Sequence, residues 1–281
     1  MNIGFIGAGK MGFSLGRYFS ENGVGITGYY GHDIQSATEA AKFTGSKPYD
    51  DLADLVRDSD TIFLTVPDNA IVSVYEEIRD MDIAGKQLCH CSNALSAQQA
   101  FPGISSYGAS GCSVAVLYPV SSKYDSFKEL QKAFVCIEGS SGCIGEWMEL
   151  FSRLGNTVKV IDGDHKSEFH TACTMATDML CALAEGSISL MEHCGFSERE
   201  ALAALEPVVM SSFKRIFAVG PLGAMSGAVE ENDVDTVRRQ MNCIENATDR
   251  EMYRAVSRKL LEIAQEKYPD GEHSAMKKLL K

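Results

Sequence analysis

Positive charge is in short supply in this chain. It has 26 Lys and Arg against 38 Asp and Glu, a formal net charge of −12. Such a balance repels a phosphate backbone and excludes a general nucleic-acid binder. Long apolar runs are missing as well: polar residues interrupt every stretch before it reaches the roughly 18 residues a membrane span needs. The first residues go straight into a strand-like run, with no basic region and hydrophobic segment ahead of it. No signal peptide is therefore expected, and the protein is read as soluble and cytoplasmic. Proline (7) and tryptophan (1) are scarce, and there is no low-complexity tract or internal repeat. The 9 cysteines are scattered, and Cys89-x-Cys91 has the wrong spacing for a zinc knuckle or a redox Cys-x-x-Cys. Cys89, Cys91 and Cys136 fall in apolar strand-like runs and are read as reduced, buried thiols. No cluster of metal-ligand residues occurs, so no metal is expected.

What is present is a globular composition, 45 % hydrophobic and 23 % charged over 281 residues, enough for one large or two ordinary domains. The most informative stretch comes first. A short apolar run (Ile3, Phe5, Ile6) ends in Gly7-Ala-Gly9-Lys-Met-Gly12, and an amphipathic helix follows with Met11, Leu15, Tyr18 and Phe19 on one face. In the order strand, glycine turn, helix, Gly7 permits the tight turn and Gly9 lets a pyrophosphate approach the backbone. Gly12 allows close helix–strand packing. The pyrophosphate would lie on the free N–H groups of the helix start, around Lys10 and Met11.

Val24 to Tyr30 reads as the second strand. At its end an NAD-specific fold places an acid on the ribose hydroxyls, and here stand Tyr30, Gly31, His32 and Asp33. Tyr30 in place of an acid favours NADP(H) over NAD(H), with His32 or Ser36 within reach of a 2′-phosphate. Asp33 has the spacing of a ribose-binding acid, but it also precedes a helical run and reads as its N-cap. Residues 60–66 form a buried parallel strand, stopped by Val66-Pro67-Asp68-Asn69 at the carboxyl edge of the sheet, where ligands of doubly wound folds bind. Asp68 or Asn69 either caps the next helix or touches the nicotinamide ribose. A further strand, Gln87 to Cys91, leads into Ser92-Asn93, suited to a nicotinamide carboxamide or a substrate carbonyl, while His90 reads as a core histidine. Another strand, Cys112 to Leu117, ends at Tyr118-Pro119-Val120-Ser121-Ser122, and Ala133 to Ile137 and Thr157 to Ile161 flank a helix with Trp147, Leu150, Phe151 and Leu154 in the core. This alternation predicts an α/β, Rossmann-type parallel sheet with helices on both faces, over residues 1–163.

From residue 164 helical periodicity takes over, predicting an all-α C-terminal domain at 164–281. One long helix is expected from His165 to Cys194 and a second from Ser197, with Glu200 closing a capping box and Pro207 kinking or breaking it. Two more are expected near 233–247 and 249–267. The Met-rich, small-residue faces suggest bundle or dimer core. On the first helix His170, Thr174, Thr177 and Asp178 form a polar stripe. Histidine is the side chain suited to proton transfer near neutrality, so His170 is a candidate catalytic acid, with Thr174 beside it and Tyr118 as a second candidate. The alternative is that the stripe is an interhelical hydrogen-bond network or that His170 caps a neighbouring element.

The blocks Gly7–Gly12, Phe63-Leu-Thr-Val-Pro67-Asp68, His90-Cys-Ser92-Asn-Ala-Leu-Ser96, Phe169-His170-Thr-Ala-Cys and Gly220-Pro221-Leu-Gly-Ala-Met-Ser226-Gly227 span nearly the whole chain. Together they resemble an uncharacterised family of Rossmann-like oxidoreductases with a helical C-terminal domain of unknown function (DUF2520-like). Its wider kin are pyrroline-5-carboxylate reductases, deazaflavin-linked NADP oxidoreductases and beta-hydroxyacid dehydrogenases. The resemblance implies a dinucleotide domain, a dimerising helical domain and an active site in the cleft between them. It also shows departures: Tyr118 replaces a histidine, Asp178 stands near an expected asparagine, Glu231 replaces a basic residue, and the arginine after the second strand is missing. The expected function is an NAD(P)-dependent oxidoreductase moving hydride between nicotinamide and a small carbonyl or imine, as a homodimer. The rival reading is a nucleotide-binding sensor or scaffold of the same fold without turnover.

Overall fold

A computed structural model describes residues 1–119 and 122–281. Two compact units divide it, Met1–Thr174 and Met175–Lys281. The first is built on an eight-stranded sheet of order β3-β2-β1-β4-β5-β6-β7-β8. Its strands are β1 (Asn2–Ile6), β2 (Gly25–Tyr30), β3 (Lys47–Pro48), β4 (Thr61–Leu64), β5 (Gln87–His90), β6 (Ser110–Leu117), β7 (Phe134–Gly139) and β8 (Thr157–Val160). The first six have the Rossmann order, with β1 and β4 side by side where the winding reverses.

Alternation along each strand divides the core between the two faces. Phe5, Phe63 and Cys89 point to the face covered by α1 (Lys10–Glu21), α2 (Ile34–Thr44) and α7 (Ser141–Arg153). There Trp147 stands edge-on to Phe63 at 5.0 Å between ring centres, and Phe5 stacks on Tyr29 at 5.1 Å. Ile6, Ile62, Leu64 and Leu88 point to the other face, under α3 (Leu52–Asp58), α4 (Asp68–Ile78) and α5 (Ala97–Ala100). The helix with Trp147, Leu150 and Phe151 buries those residues as expected.

One strand departs from the parallel reading. The connection after Leu117 carries, among the described residues, the short helix α6 (Ser126–Glu129) and a 3-10 turn at Leu130–Lys132, and β7 returns antiparallel to β6, pairing Cys112 with Gly139 and Leu117 with Phe134. β8 then runs parallel to β7. Apolar patterning is the same for either direction, so a wholly parallel sheet was the natural expectation, whereas the connection decides.

After β8 come α8 (Lys166–Ala176) and α9 (Asp178–His193). The single helix expected over His165–Cys194 is interrupted at Thr177, whose φ of −128° and ψ of −75° are not helical. Thr-Asp is a helix-start signal, with Asp178 in the first turn of α9, and it outweighs the continuous periodicity. Gly195, at φ 92°, follows the end of α9. Helix α10 (Glu198–Ala224) begins with the Ser197–Glu200 capping box. It continues through Pro207, where a kink or a break was expected, and the residue with non-helical torsions is Gly220 (φ 73°, ψ 168°). Pro207 removes only the N–H aimed at the Ala203 carbonyl, while Gly220 adopts a left-handed conformation that other residues resist.

Helices α11 (Val234–Cys243), α12 (Ala247–Lys267) and α13 (Ser274–Leu280) bury Val237, Met241, Leu261, Ala264, Met276 and Leu280 among themselves. By contrast α9 and α10 leave large apolar side chains in solvent, including Phe217 at 85 %, Val208 at 62 % and Met179 at 50 % exposure. No helix among the described residues is long and apolar enough to cross a membrane. The described cysteines are free thiols, with Cys89, Cys112, Cys136 and Cys143 buried.

Candidate dinucleotide site

The three glycines of the first turn are held for three different reasons. Gly7 has φ +104°, and a Cβ there would stand 2.7 Å from the Thr65 carbonyl oxygen. A Cβ on Gly12 would meet Thr65 Oγ1 at 2.4 Å and the Gly7 carbonyl at 2.5 Å, so α1 can press against the β1–β4 edge only without a side chain. Thr65 Oγ1 fastens this junction by donating to the Gly7 carbonyl oxygen at 2.7 Å. Gly9 is different. A Cβ there would touch nothing closer than Thr65 O at 3.9 Å, so the protein leaves that side open. Gly9 is also the N-cap of α1, with no side chain capping the helix, and the Phe13 N–H makes the first bond back to Gly9 at 2.9 Å. The N–H groups of Lys10, Met11 and Gly12 therefore face outward at the positive end of the helix. An open cradle beside uncapped N–H groups fits a pyrophosphate.

At the end of β2 the Tyr30 carbonyl accepts the Gly7 N–H at 2.8 Å, placing half-buried Tyr30 next to the turn. His32 is exposed beyond it. Asp33 caps α2: its carboxylate accepts from the Gln35 and Ser36 N–H groups and from Ser36 Oγ. Those bonds hold it below the usual carboxylate range, the Ser36 hydroxyl first.

The polar residues at the carboxyl edge form a connected group. Val66 and Pro67 follow β4, and Pro67, not an acid, is the N-cap of α4. Asp68 does not cap the helix; it lies in the first turn and its Oδ2 accepts from Ser92 Oγ at 2.6 Å, tying the end of β4 to the end of β5. Ser92 Oγ also accepts the Ala94 and Leu95 N–H groups. The Asn93 side-chain oxygen, Oδ1, is buried without a partner among the described residues, an acceptor available to a carboxamide N–H. His90 is a core histidine: its Nδ1 accepts the Ser92 N–H at 3.2 Å, and its buried Nε2 has no partner among the described residues. Burial pushes its pKa down to about 3.

Tyr118 packs beside α1, its hydroxyl 3.9 Å from Met11 Sδ. Burial raises it above the usual phenol range, the Ser14 hydroxyl working against the rise. Of the segment after it, Val120 and Ser121 lie outside the described residues. Exposed His170 and half-buried Thr174 stand on α8, and neither is hydrogen-bonded to Ser92 or Tyr118. The structure thus brings Gly7, Gly9, Lys10, Met11, Gly12, Tyr30 and Tyr118 around the turn, and Asp68, Ser92 and Asn93 around the end of β5.

The residue that sequence reasoning missed is Lys166. It is 1 % exposed, and its Nζ donates to the Ser92 carbonyl at 2.8 Å and to Ser113 Oγ at 2.7 Å. Burial lowers its pKa, and the nearby Glu138 carboxylate acts in the opposite direction. Its signal was the helical stripe itself: Lys166, His170 and Thr174 recur every four residues on α8.

Comparison with known families agrees with this architecture. Residues 2–94 match the family described as NADP oxidoreductase coenzyme F420-dependent, and residues 133–260 match the Domain of unknown function DUF2520. The first match lies on β1 to β5 and the second runs from the start of β7 into α12. Among solved structures, protein TM1727 from Thermotoga maritima is similar with a TM-score of 0.72 and 20 % identity, covering 94 % of this chain and 98 % of that one. An imine reductase from Myxococcus stipitatus in complex with NADP+ is similar with a TM-score of 0.63 and 17 % identity, covering 100 % of both chains. A V8 variant of the M. stipitatus imine reductase, in complex with NAD+, gives 0.63 and 17 %, covering 100 % and 99 %. At these identities the likeness is one of fold. No curated protein matches the chain in sequence.

Proposed function

We propose that the protein is an NAD(P)-dependent oxidoreductase acting on a small carbonyl or imine. The observation that carries this reading is the Gly9 cradle, open on its free side and placed at an uncapped helix start. In this reading the turn from Gly7 to Gly12 holds the pyrophosphate, Tyr30 and His32 flank the adenosine ribose, and Val66, Pro67, Asp68, Ser92 and Asn93 surround the nicotinamide half. NADP(H) is the preferred cofactor over NAD(H), because Asp33 is occupied in capping α2 and no other acid stands at that position. A bound nicotinamide supplies or accepts the hydride. The protein positions and protonates: Lys166 Nζ fixes the Ser92 carbonyl from below, Asp68 fixes the Ser92 hydroxyl, and Tyr118 Oη, kept protonated by burial, donates a proton to the reduced atom. His170, with Thr174 one turn on, is the alternative proton donor. The neighbouring folds named as imine reductases support the substrate class.

Isothermal titration with NADPH and NADH tests the binding half: no heat from either at millimolar concentration removes it. A second reading, a nucleotide-binding sensor without turnover, is favoured by one observation, the exposure of His170 away from any hydrogen-bond partner in the site. Oxidation of NADPH with any of a panel of imines, ketoacids and aldehydes ends that second reading. We also infer a homodimer formed through the apolar faces of α9 and α10, supported by their exposed Phe217, Val208 and Met179.

A further inference from the structure

The first unit contains a second cavity, of about 550 Å3, that the dinucleotide reading does not use. It opens between the segment Ser96–Ser105, the start of β6 at Gly111, the ends of β7 and β8, and the turn Asp162–Asp164. Because β7 is antiparallel to β6, Gly139 pairs with Cys112 near the beginning of β6, far along the strand from Tyr118. Its size falls within the roughly 300–1,000 Å3 of small-molecule sites.

Charge on its walls has one sign. Glu138, Asp162 and Asp164 line it, and no Lys, Arg or His does. Glu138 is the unusual member, since it lies inside the apolar strand Phe134-Val-Cys-Ile-Glu138 and is only 5 % exposed. One of its oxygens, Oε1, accepts the Ala97 N–H at 2.7 Å. The other, Oε2, has no donor among the described residues. It faces Gly163, where an added Cβ would come to 3.1 Å, so the glycine keeps the approach to that oxygen clear. Lys166 acts on Glu138 through its charge but makes no hydrogen bond to it, its Nζ donating to the Ser92 carbonyl and Ser113 Oγ. Glu138 lines the cavity, and its Oε2 leaves an acceptor free for the charge-assisted hydrogen bond of a cationic donor. The remaining wall is mixed: Phe101, Ile104, Ile144 and Ile161 supply its apolar part, and Ser96, Gln98, Ser105 and Ser140 its neutral polar part. That mixture disfavours a metal ion, and no group of three metal-type ligands is assembled among the described residues.

We propose that this cavity binds an alkylammonium ligand, its charged head on Glu138 Oε2 and its hydrocarbon tail against Phe101, Ile104, Ile144 and Ile161. Asp162 and Asp164 at the mouth attract the cation and repel carboxylates. The site is separate from the glycine turn and does not depend on the oxidoreductase reading.

The test is titration of the full chain with hexylamine, hexan-1-ol and hexanoate, read by calorimetry and by amide shifts of Gly139 and Gly163. Hexylamine is expected to bind at least about tenfold more tightly than hexan-1-ol, and hexanoate not at all. In Glu138→Gln, which retains an oxygen for the Ala97 N–H, that preference should disappear. Ser105→Trp, at an exposed point on the wall, should block both hexylamine and hexan-1-ol without touching the carboxylate. Equal affinity of amine and alcohol, an unchanged amine preference in Glu138→Gln, or shifts confined to residues outside the cavity would each overturn the proposal.

Discussion

The Lys166 ammonium lies 2.8 Å from the Ser92 carbonyl oxygen, a buried cation supporting the loop that follows β5. Its long stem fills space in the first unit while its head is shared with Ser113. Truncation and charge removal can be separated here. Lys166→Ala loses stem and charge together and is expected to lower stability by about 2–4 kcal/mol. Lys166→Met keeps most of the volume and removes the charge that burial disfavours, for a loss below about 1.5 kcal/mol. Urea unfolding of the two variants checks this; equal losses would show that the stem contributes nothing.

Gly9 and Gly12 should respond in opposite ways to the same methyl group. Gly12→Ala drives a Cβ into Thr65 Oγ1 and the Gly7 carbonyl, costing about 1–3 kcal/mol. Gly9→Ala meets only Thr65 O at 3.9 Å, so stability should change by less than about 1 kcal/mol, helix propensity included. Its effect should fall on NADPH affinity, and Gly9→Asp should abolish binding. Thermal melts paired with titration decide it; a stable Gly9→Asp that binds NADPH at full affinity would remove the turn from the site.

His90 gives an acid signature. Its folded pKa of about 3 lies below the ordinary ~6.5, so between those values the unfolded chain takes up a proton that the folded one refuses. Its contribution is fully present above pH 6.5 and is lost as the pH falls toward 3, with a slope of up to about 1.4 kcal/mol per pH unit. Glu138 is raised by burial and works the other way, losing stability as pH rises through its range. The difference between wild type and His90→Gln isolates the histidine. Parallel stability–pH curves for the two proteins would count against it.

Tyr118→Phe keeps the packing on Met11 and removes the hydroxyl. NADPH affinity should remain within a factor of about two to three, while turnover of an accepted imine should fall by roughly 10²–10⁴. Stopped-flow absorbance at the nicotinamide band provides the measurement. If turnover is undiminished, His170→Ala becomes the next variant to examine.

Phe217→Glu on α10 places a charge on a side chain that is 85 % exposed in the single chain. Light scattering should show a dimer for the wild type and a shift toward monomer for this variant. A wild-type monomer at tens of micromolar would dispose of the dimer.

The Rossmann half was largely legible because its signals are local. Gly7, Gly9 and Gly12 each answer a different steric demand, and the buried runs of β1 and β4 have no competing helical period. Asp33 as a cap and His90 as a core residue also followed from local chemistry. The direction of β7 was not legible, since patterning does not record which way a strand runs. Lys166 was passed over because lysine is ordinarily a surface residue, and only the fold reveals that its head reaches Ser92 and Ser113. For Asp68 the sequence left a helix cap and a ribose contact open, and it could not name the partner the fold supplies, Ser92, 24 residues away.

Reversing one strand has a consequence for how the sheet can be used. In a sheet of uniform direction, the loops after β6 and β7 would share one rim, and their ligands would crowd each other. With β7 turned back, Tyr118 and Glu138–Gly139 belong to opposite rims of the same framework. The proposed nucleotide at one and the proposed alkylammonium at the other would therefore not compete sterically, and titrating one is expected to leave the other's affinity unchanged.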